Sequence, residues 1–289
     1  MSAVAERGAP QDEFTSQLHV YEPHRVGLPP LRPYFRELWR RRRFAFELAR
    51  SNLRAQNYNT ALGQLWLVLN PLFTGFVYFM LVTIVRGGSR GPEFLAHLML
   101  GVFAFTLVRG SIRPGAKSVT SGGQLILNTA FPRALLPIAS VLESIMRFLP
   151  TLLVYAVVHA FAGLPVTPQI LWGIPILMLM ICLAAGMTMF VATAQVYFRD
   201  MRHILPFFLR IWLFTSPILY YADEVPDQLL PILYVNPLYP MLTTLSEAVN
   251  FGQTPSPGLL AASVAWAAAA LVVGAFTFIS REREFAVRL

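Results

Sequence analysis

The sequence predicts an all-α polytopic membrane protein, and three observations carry that prediction. Of 289 residues, 55% are apolar and 13% are charged, about half the charged share of an ordinary soluble domain. The apolar residues run in long unbroken blocks, which a water-facing surface does not tolerate. Basic residues cluster beside those blocks, the pattern that sets membrane topology. The net charge of +8 therefore reads as topology and headgroup contact; no nucleic-acid partner is expected.

Six stretches have the roughly 20 apolar residues that an α-helix needs to cross the hydrocarbon core. They are residues 65–86, 94–108 (extended at its ends), 136–161, 170–196, 204–221 and 259–279. Every backbone amide inside them must be paired, and without strand-like alternation only helices do that. Arg36 and Arg40 to Arg43 precede the first span, and Arg113, Lys117 and Arg133 separate the second from the third. Arg199 and Arg202 separate the fourth from the fifth, and Arg281, Arg283 and Arg288 follow the sixth. The other side has Arg86 and Arg90, with Asp223, Glu224, Asp227 and Glu247. This asymmetry expects both termini in the cytoplasm.

Before the first span, residues 1–33 hold both charge signs, five prolines and no apolar core, so they read as a flexible cytoplasmic tail and not a signal peptide. Residues 34–57 follow as an amphipathic segment and 58–289 as the membrane domain. Phe35, Leu38, Trp39, Phe46, Ala49 and Leu53 recur at helical spacing among arginines, which describes a helix lying in the membrane interface.

Two further segments are irregular. Residues 118–137, polar and Gly-rich with Pro132 as a breaker, read as a short cytoplasmic helix that a soluble partner could grip, or as a bare loop. Residues 223–257 are too apolar for a solvated loop. Pro226, Pro231, Pro237 and Pro240 cut them into pieces at 227–235 and 238–249, too short to span. They are expected as re-entrant helices over an outer opening between spans five and six.

The search for chemistry yields little. Gly110 to Ser118 resembles a phosphate loop, but Ala116 separates Gly115 from Lys117 and the string follows a membrane helix, not a strand. No catalytic residue, metal ligand set or cofactor site is expected: the histidines are scattered and Cys182 stands alone. Glu143 and Arg147, four apart in span three, read as a local intramembrane ion pair or as a substrate or proton site. Phe73, Phe76, Tyr78, Phe103, Trp212 and Phe214 read as packing and interfacial aromatics, or as the lining of a channel.

Four strings together carry a resemblance. Residues 57–72 (NYNTALGQLWLVLNPL), 123–137 (GQLILNTAFPRALLP), 198–220 (FRDMRHILPFFLRIWLFTSPILY) and Asn236-Pro237 resemble, in order, the ABC-2 type permeases of bacterial polysaccharide export, the Wzm-like subunits. The resemblance covers residues 34–289. It implies a homodimer paired with two copies of a Wzt-like nucleotide-binding subunit, which would bind ATP and Mg2+, in the cytoplasmic membrane. It implies that Ser121, Gln124, Leu125, Asn128, Phe131 and Arg133 couple to that ATPase. It also implies a polyprenyl-diphosphate-linked glycan moving through a channel between protomers, lined by spans one and five. Arg50 and Arg54 are then candidates to meet the diphosphate at the cytoplasmic entrance. The Arg-rich composition, with Lys117 the one lysine, and the proline-rich tail look most like the mycobacterial-type members that export galactan for cell-wall arabinogalactan. The alternatives are an ABC-2 exporter of a drug or small lipid, an integral membrane glycosyltransferase or acyltransferase using Asp223, Glu224 and Asp227, and a secondary transporter.

Overall fold

The computed structural model describes residues 28–56, 60–88, 90–123 and 131–288. Two short helices, α1 (Leu31–Arg40) and α2 (Arg42–Gln56), come first, followed by α3 (Trp66–Arg86), α4 (Gly91–Ser121), α5 (Leu135–Phe161) and α6 (Gly173–Tyr197). Then come α7 (Met201–Phe214), α8 (Leu230–Val235), α9 (Leu238–Asn250), α10 (Pro257–Arg281) and α11 (Phe285–Arg288). Among the described residues there is no strand. Five segments are long and apolar enough to cross a membrane: Gly63–Arg86, Gly91–Ser121, Leu135–Phe161, Pro168–Tyr197 and Pro257–Glu284. The chain is a multi-pass helical membrane protein.

The centre of the bundle is α4, with 78% of its most apolar window buried, against 17% for the first and last of these spans. It packs on α5 and α6, and α10 packs on α6. The helix is longer than the expected 94–108. Its last turns are polar on one side only, while Ser111, Ile112, Gly115, Ala116 and Val119 are buried. Those small residues let α5 and α6 come close, so the helix continues through the polar run and past Pro114. It ends at Ser121 with Gly122 as its cap, inside the Gly-rich stretch.

The fifth expected span is the clearest departure. Helix α7 stops at Phe214 after 14 residues, about 21 Å, short of the roughly 30 Å hydrocarbon core. Residues 215–221 form a turn instead. Side chains take over from the helix ladder here: Ser216 Oγ donates to the Trp212 carbonyl (2.7 Å), and Asn236 Nδ2 donates to the Thr215 carbonyl (3.1 Å) and Ser216 Oγ (3.0 Å). Asn236 Oδ1 accepts from Trp212 Nε1 (2.7 Å) and from the Leu238 amide (2.9 Å). With Pro217 lacking an amide hydrogen, the apolar residues 218–221 cannot extend α7. The outer pieces fall at 230–235 and 238–250, close to expectation. Helix α9 buries Leu238, Met241, Leu242 and Leu245 in the main core.

The amphipathic stretch is two helices, not one, meeting at Arg41. Ala45 and Ala49 of α2, both at most 1% exposed, pack against Leu135 and Ala139 of α5. Phe35, Trp39 and Phe46 remain exposed. The small residues therefore face protein, while the large aromatics face outward.

Candidate functional site

Three sites outside the central core concentrate polar and aromatic side chains. The first is the set of aromatics on α3 and α7. The Tyr78 and Phe214 rings meet edge-on with centroids 6.3 Å apart. Phe73, Phe76 and Phe214 are about half exposed, as are Val77, Met80, Ile204 and Ile211 nearby. Phe103 and Trp212 belong elsewhere: they are 1% and 5% exposed. Trp212 packs edge-on to Phe105 and donates to Asn236. Their depth follows from their helices, since Phe103 lies on the central α4 and Trp212 on the inner face of α7. Of the six candidate lining aromatics, Phe73, Phe76 and Phe214 are thus exposed, Tyr78 is half-buried against Phe214, and Phe103 and Trp212 are interior.

Within the bundle, Glu143 is 2% exposed and accepts from Arg147 and from Gln56 Nε2 (2.9 Å). Gln56 ends α2, so this carboxylate ties the amphipathic helix to α5. Beside it lies a cavity of about 130 Å³, bordered by Gln56, Asn70, Thr106, Ser144, Arg147 and Thr151. Residue spacing shows the Glu143–Arg147 pair; it does not show the reach of Gln56 from 87 residues away.

The second site is cytoplasmic by the charge pattern. Glu282, 8% exposed, accepts from Tyr34 Oη (2.5 Å) and from the Arg133 amide, while the Arg133 guanidinium donates to the Glu282 carbonyl. Burial, then the neighbouring carboxylate, pushes the Tyr34 phenol well above its ordinary pKa; it stays protonated and donates. Three distant segments join here: α1, the end of the Gly-rich stretch and the C-terminal turn. Phe131 stacks at a tilt on Phe44 of α2, with centroids 5.4 Å apart, and is half-buried; Ser121 is exposed at the end of α4. Gln124, Leu125 and Asn128 lie outside the described residues. Arg50 and Arg54 are both exposed on α2, away from its alanine face.

The third is the outer end. Glu224 pairs with Arg86 (3.0 Å) and with Arg90, whose guanidinium also lies 4.3 Å from the Phe94 ring centroid and 4.9 Å from that of Tyr221. Behind this lies a cavity of about 440 Å³ bordered by Glu93, His97, Asp223, Ser246 and Glu247. Burial pushes the Glu247 carboxyl up. His97 is buried and bonded to Ser246 Oγ (2.7 Å) and to the Tyr220 carbonyl (3.3 Å). A lone histidine in an apolar run gives no hint of that pairing. No group of three metal-ligating side chains occurs among the described residues.

The described residues form apolar membrane helices around one central helix, with polar groups concentrated at both ends. The chain belongs to the ABC-2 type transporter family, whose profile matches residues 45–250. It is similar to the O-antigen export system permease protein RfbA of Myxococcus xanthus, 27% identical over 256 residues that cover 87% of this chain and 97% of that protein. It is also similar to an O-antigen export system permease protein RfbA of Klebsiella pneumoniae, 26% identical over 196 residues covering 68% and 75% respectively.

Proposed function

We propose that this chain is the permease subunit of an ATP-driven exporter that moves a polyprenyl-diphosphate-linked polysaccharide, a galactan, across the cytoplasmic membrane with both termini inside. The observation that carries the reading is the match to O-antigen export permeases over nearly the whole chain. The exposed aromatics Phe73 and Phe76 of α3 and Phe214 of α7 support it further. Aromatic faces suit the apolar C–H faces of sugars, and an exposed flank on each protomer of a homodimer forms a path between them. Two copies of a separate Wzt-like subunit bind ATP and Mg2+ and drive the movement. Membrane lipids cover the remaining apolar surface.

In this reading, Ser121, Gln124, Leu125, Asn128, Phe131 and Arg133 seat the ATPase, and Phe44 of α2 contacts Phe131. Phe131→Asp is expected to lower co-purified ATPase and glycan flux together, because it places a charge against Phe44 and the seat. Size-exclusion chromatography shows whether the variant is folded; a folded variant with normal co-purification and normal flux overturns the assignment.

Arg50 and Arg54 on α2 meet the diphosphate at the cytoplasmic entrance. The double variant Arg50→Ala, Arg54→Ala is expected to lower ATP-dependent flux in reconstituted vesicles about tenfold, the order expected for lost charge-assisted bonds. Assembly should stay intact, since both side chains are exposed. Unchanged flux rejects the entrance. Transport of a small lipid or drug in the same vesicles, without glycan transport, would favour the narrower ABC-2 exporter.

A further inference from the structure

The corner between α8, α9 and α10 holds a cavity of about 390 Å³, bordered by Tyr234, Tyr239 and Trp266. The Tyr234 and Tyr239 rings stand at 81° to one another with centroids 5.6 Å apart, so they meet as two walls at right angles. Tyr239 is 7% exposed, yet its phenol has no hydrogen-bond partner among the described residues. Glu247 of α9 lies close enough to Tyr239 to act on it electrostatically. Aromatics of an interfacial belt are spread around the perimeter and face the bilayer; here a buried phenol borders a cavity instead. The sequence makes the room. Gly258, Ala262 and Trp266 recur at every fourth residue of α10 and share a face, two small side chains followed by one large one. A Cβ on Gly258 meets nothing within 4 Å.

Depth and polarity name the occupant. The charge pattern puts Arg281, the last residue of α10, on the cytoplasmic side, so Pro257 opens the helix at the outer surface. Trp266 stands nine residues further along, about 14 Å deeper. Along α10 the cavity wall therefore runs from the Ser256 hydroxyl through Leu259 and Ala262 to Trp266, polar at the surface and apolar below, the order found along a phospholipid. Only 17% of the most apolar window of this span is buried, so the helix meets the bilayer and the cavity beside it fills from there. Ring faces attract ammonium groups, and the Glu247 carboxylate adds to that field. Among the described residues no cation borders the cavity to hold a net anionic headgroup, and no carboxylate, amide or guanidinium borders it to fix the hydroxyls of a sugar.

We propose that this corner binds one outer-leaflet phospholipid with an ammonium headgroup. The ammonium sits between the Tyr234 and Tyr239 rings, and the upper acyl chain lies against Leu259, Ala262 and Trp266. The Tyr239 phenol accepts from the ammonium N–H or donates to the adjoining phosphate, and the Trp266 indole N–H is a donor at the depth of the glycerol esters. The site is independent of the cargo, since the proposed path uses α3 and α7 and this corner belongs to α10.

The full-length chain is reconstituted in nanodiscs of equal phosphatidylethanolamine and phosphatidylglycerol, and retained lipid is weighed by native mass spectrometry. Wild-type protein is expected to keep phosphatidylethanolamine over phosphatidylglycerol by roughly fivefold, the order of one cation–π contact. Tyr234→Leu removes a ring wall, and Gly258→Leu fills the cavity; each should bring the ratio close to one. Tyr234 is 60% exposed and Gly258 has open space around it, so both variants are expected to fold, which size-exclusion chromatography checks. Tyr234→Phe restores the ring and should restore the preference, whereas a merely apolar contact would be served equally by leucine. Equal retention of the two lipids by the wild type overturns the site, as does an unchanged preference in the folded Gly258→Leu and Tyr234→Leu variants. Tyr234→Phe losing as much as Tyr234→Leu has the same consequence. Tyr234-dependent binding of a galactose oligosaccharide, with no lipid preference, would assign the corner to sugar and overturn it as well.

Discussion

Replacing Gly186 with valine is expected to force α6 and α10 apart and to abolish a stable, monodisperse protein in detergent. A Cβ on Gly186 would collide with the Ala270 carbonyl group and come within 2.5 Å of the Leu271 amide nitrogen. A Cβ on Gly274 would in turn meet the Gly186 carbonyl and lie 2.8 Å from its Cα. These are backbone atoms, which cannot rotate away as a flexible side chain does. Lipid offers no hydrophobic drive between helices, so close packing of small residues is what holds such a pair. Overpacking ordinarily costs about 1–3 kcal/mol, and a clash with the main chain of a second helix belongs at or above the top of that range. The control is Gly258→Ala on the same α10, where a Cβ meets nothing within 4 Å. Thermal unfolding followed by size-exclusion chromatography should show the control at or above the wild-type midpoint and Gly186→Val far below it. Equal midpoints for all three would mean that this contact does not hold α6 to α10.

That contact also shows what a single sequence conveals and what it reveals. Long apolar runs identify the spans because every residue in them obeys the same solvent constraint. The boundaries near Ser121 and Leu230–Val235 were legible because glycine and proline act locally. The pairing of Gly186 with Gly274, by contrast, joins residues on different helices, and glycine is common in any membrane helix. Helix α7 misled for a related reason: residues 215–221 are apolar enough to continue a span, and the side chain that caps the break, Asn236, arrives from beyond the turn. The candidate lining divided along the same line. Period and polarity place Phe73 and Phe76 on a helix but cannot say which face of α4 or α7 turns inward, and so Phe103 and Trp212 were grouped with residues they do not join.

Glu282→Ala is expected to loosen the cytoplasmic end as a unit, with a loss of about 2–5 kcal/mol. The carboxylate accepts from the Tyr34 hydroxyl and from the Arg133 amide, and alanine leaves both donors without it in a buried setting. Tyr34→Phe removes only the phenol and should cost about 1 kcal/mol. If the network acts through Glu282, Tyr34→Phe in the Glu282→Ala background should cost almost nothing further, a non-additivity that a double-mutant cycle measures directly. Fully additive losses, or an unchanged melting midpoint for Glu282→Ala, would dissolve the network as an energetic unit. The consequence reaches beyond stability because Arg133 closes the proposed ATPase seat. With Glu282 gone, the seat keeps its sequence but loses its anchor to α1 and to the C-terminal turn. The complex should then still hydrolyse ATP in reconstituted vesicles while moving less glycan per ATP consumed. A parallel fall in both rates would instead indicate loss of assembly, and co-purification of the ATPase distinguishes the two.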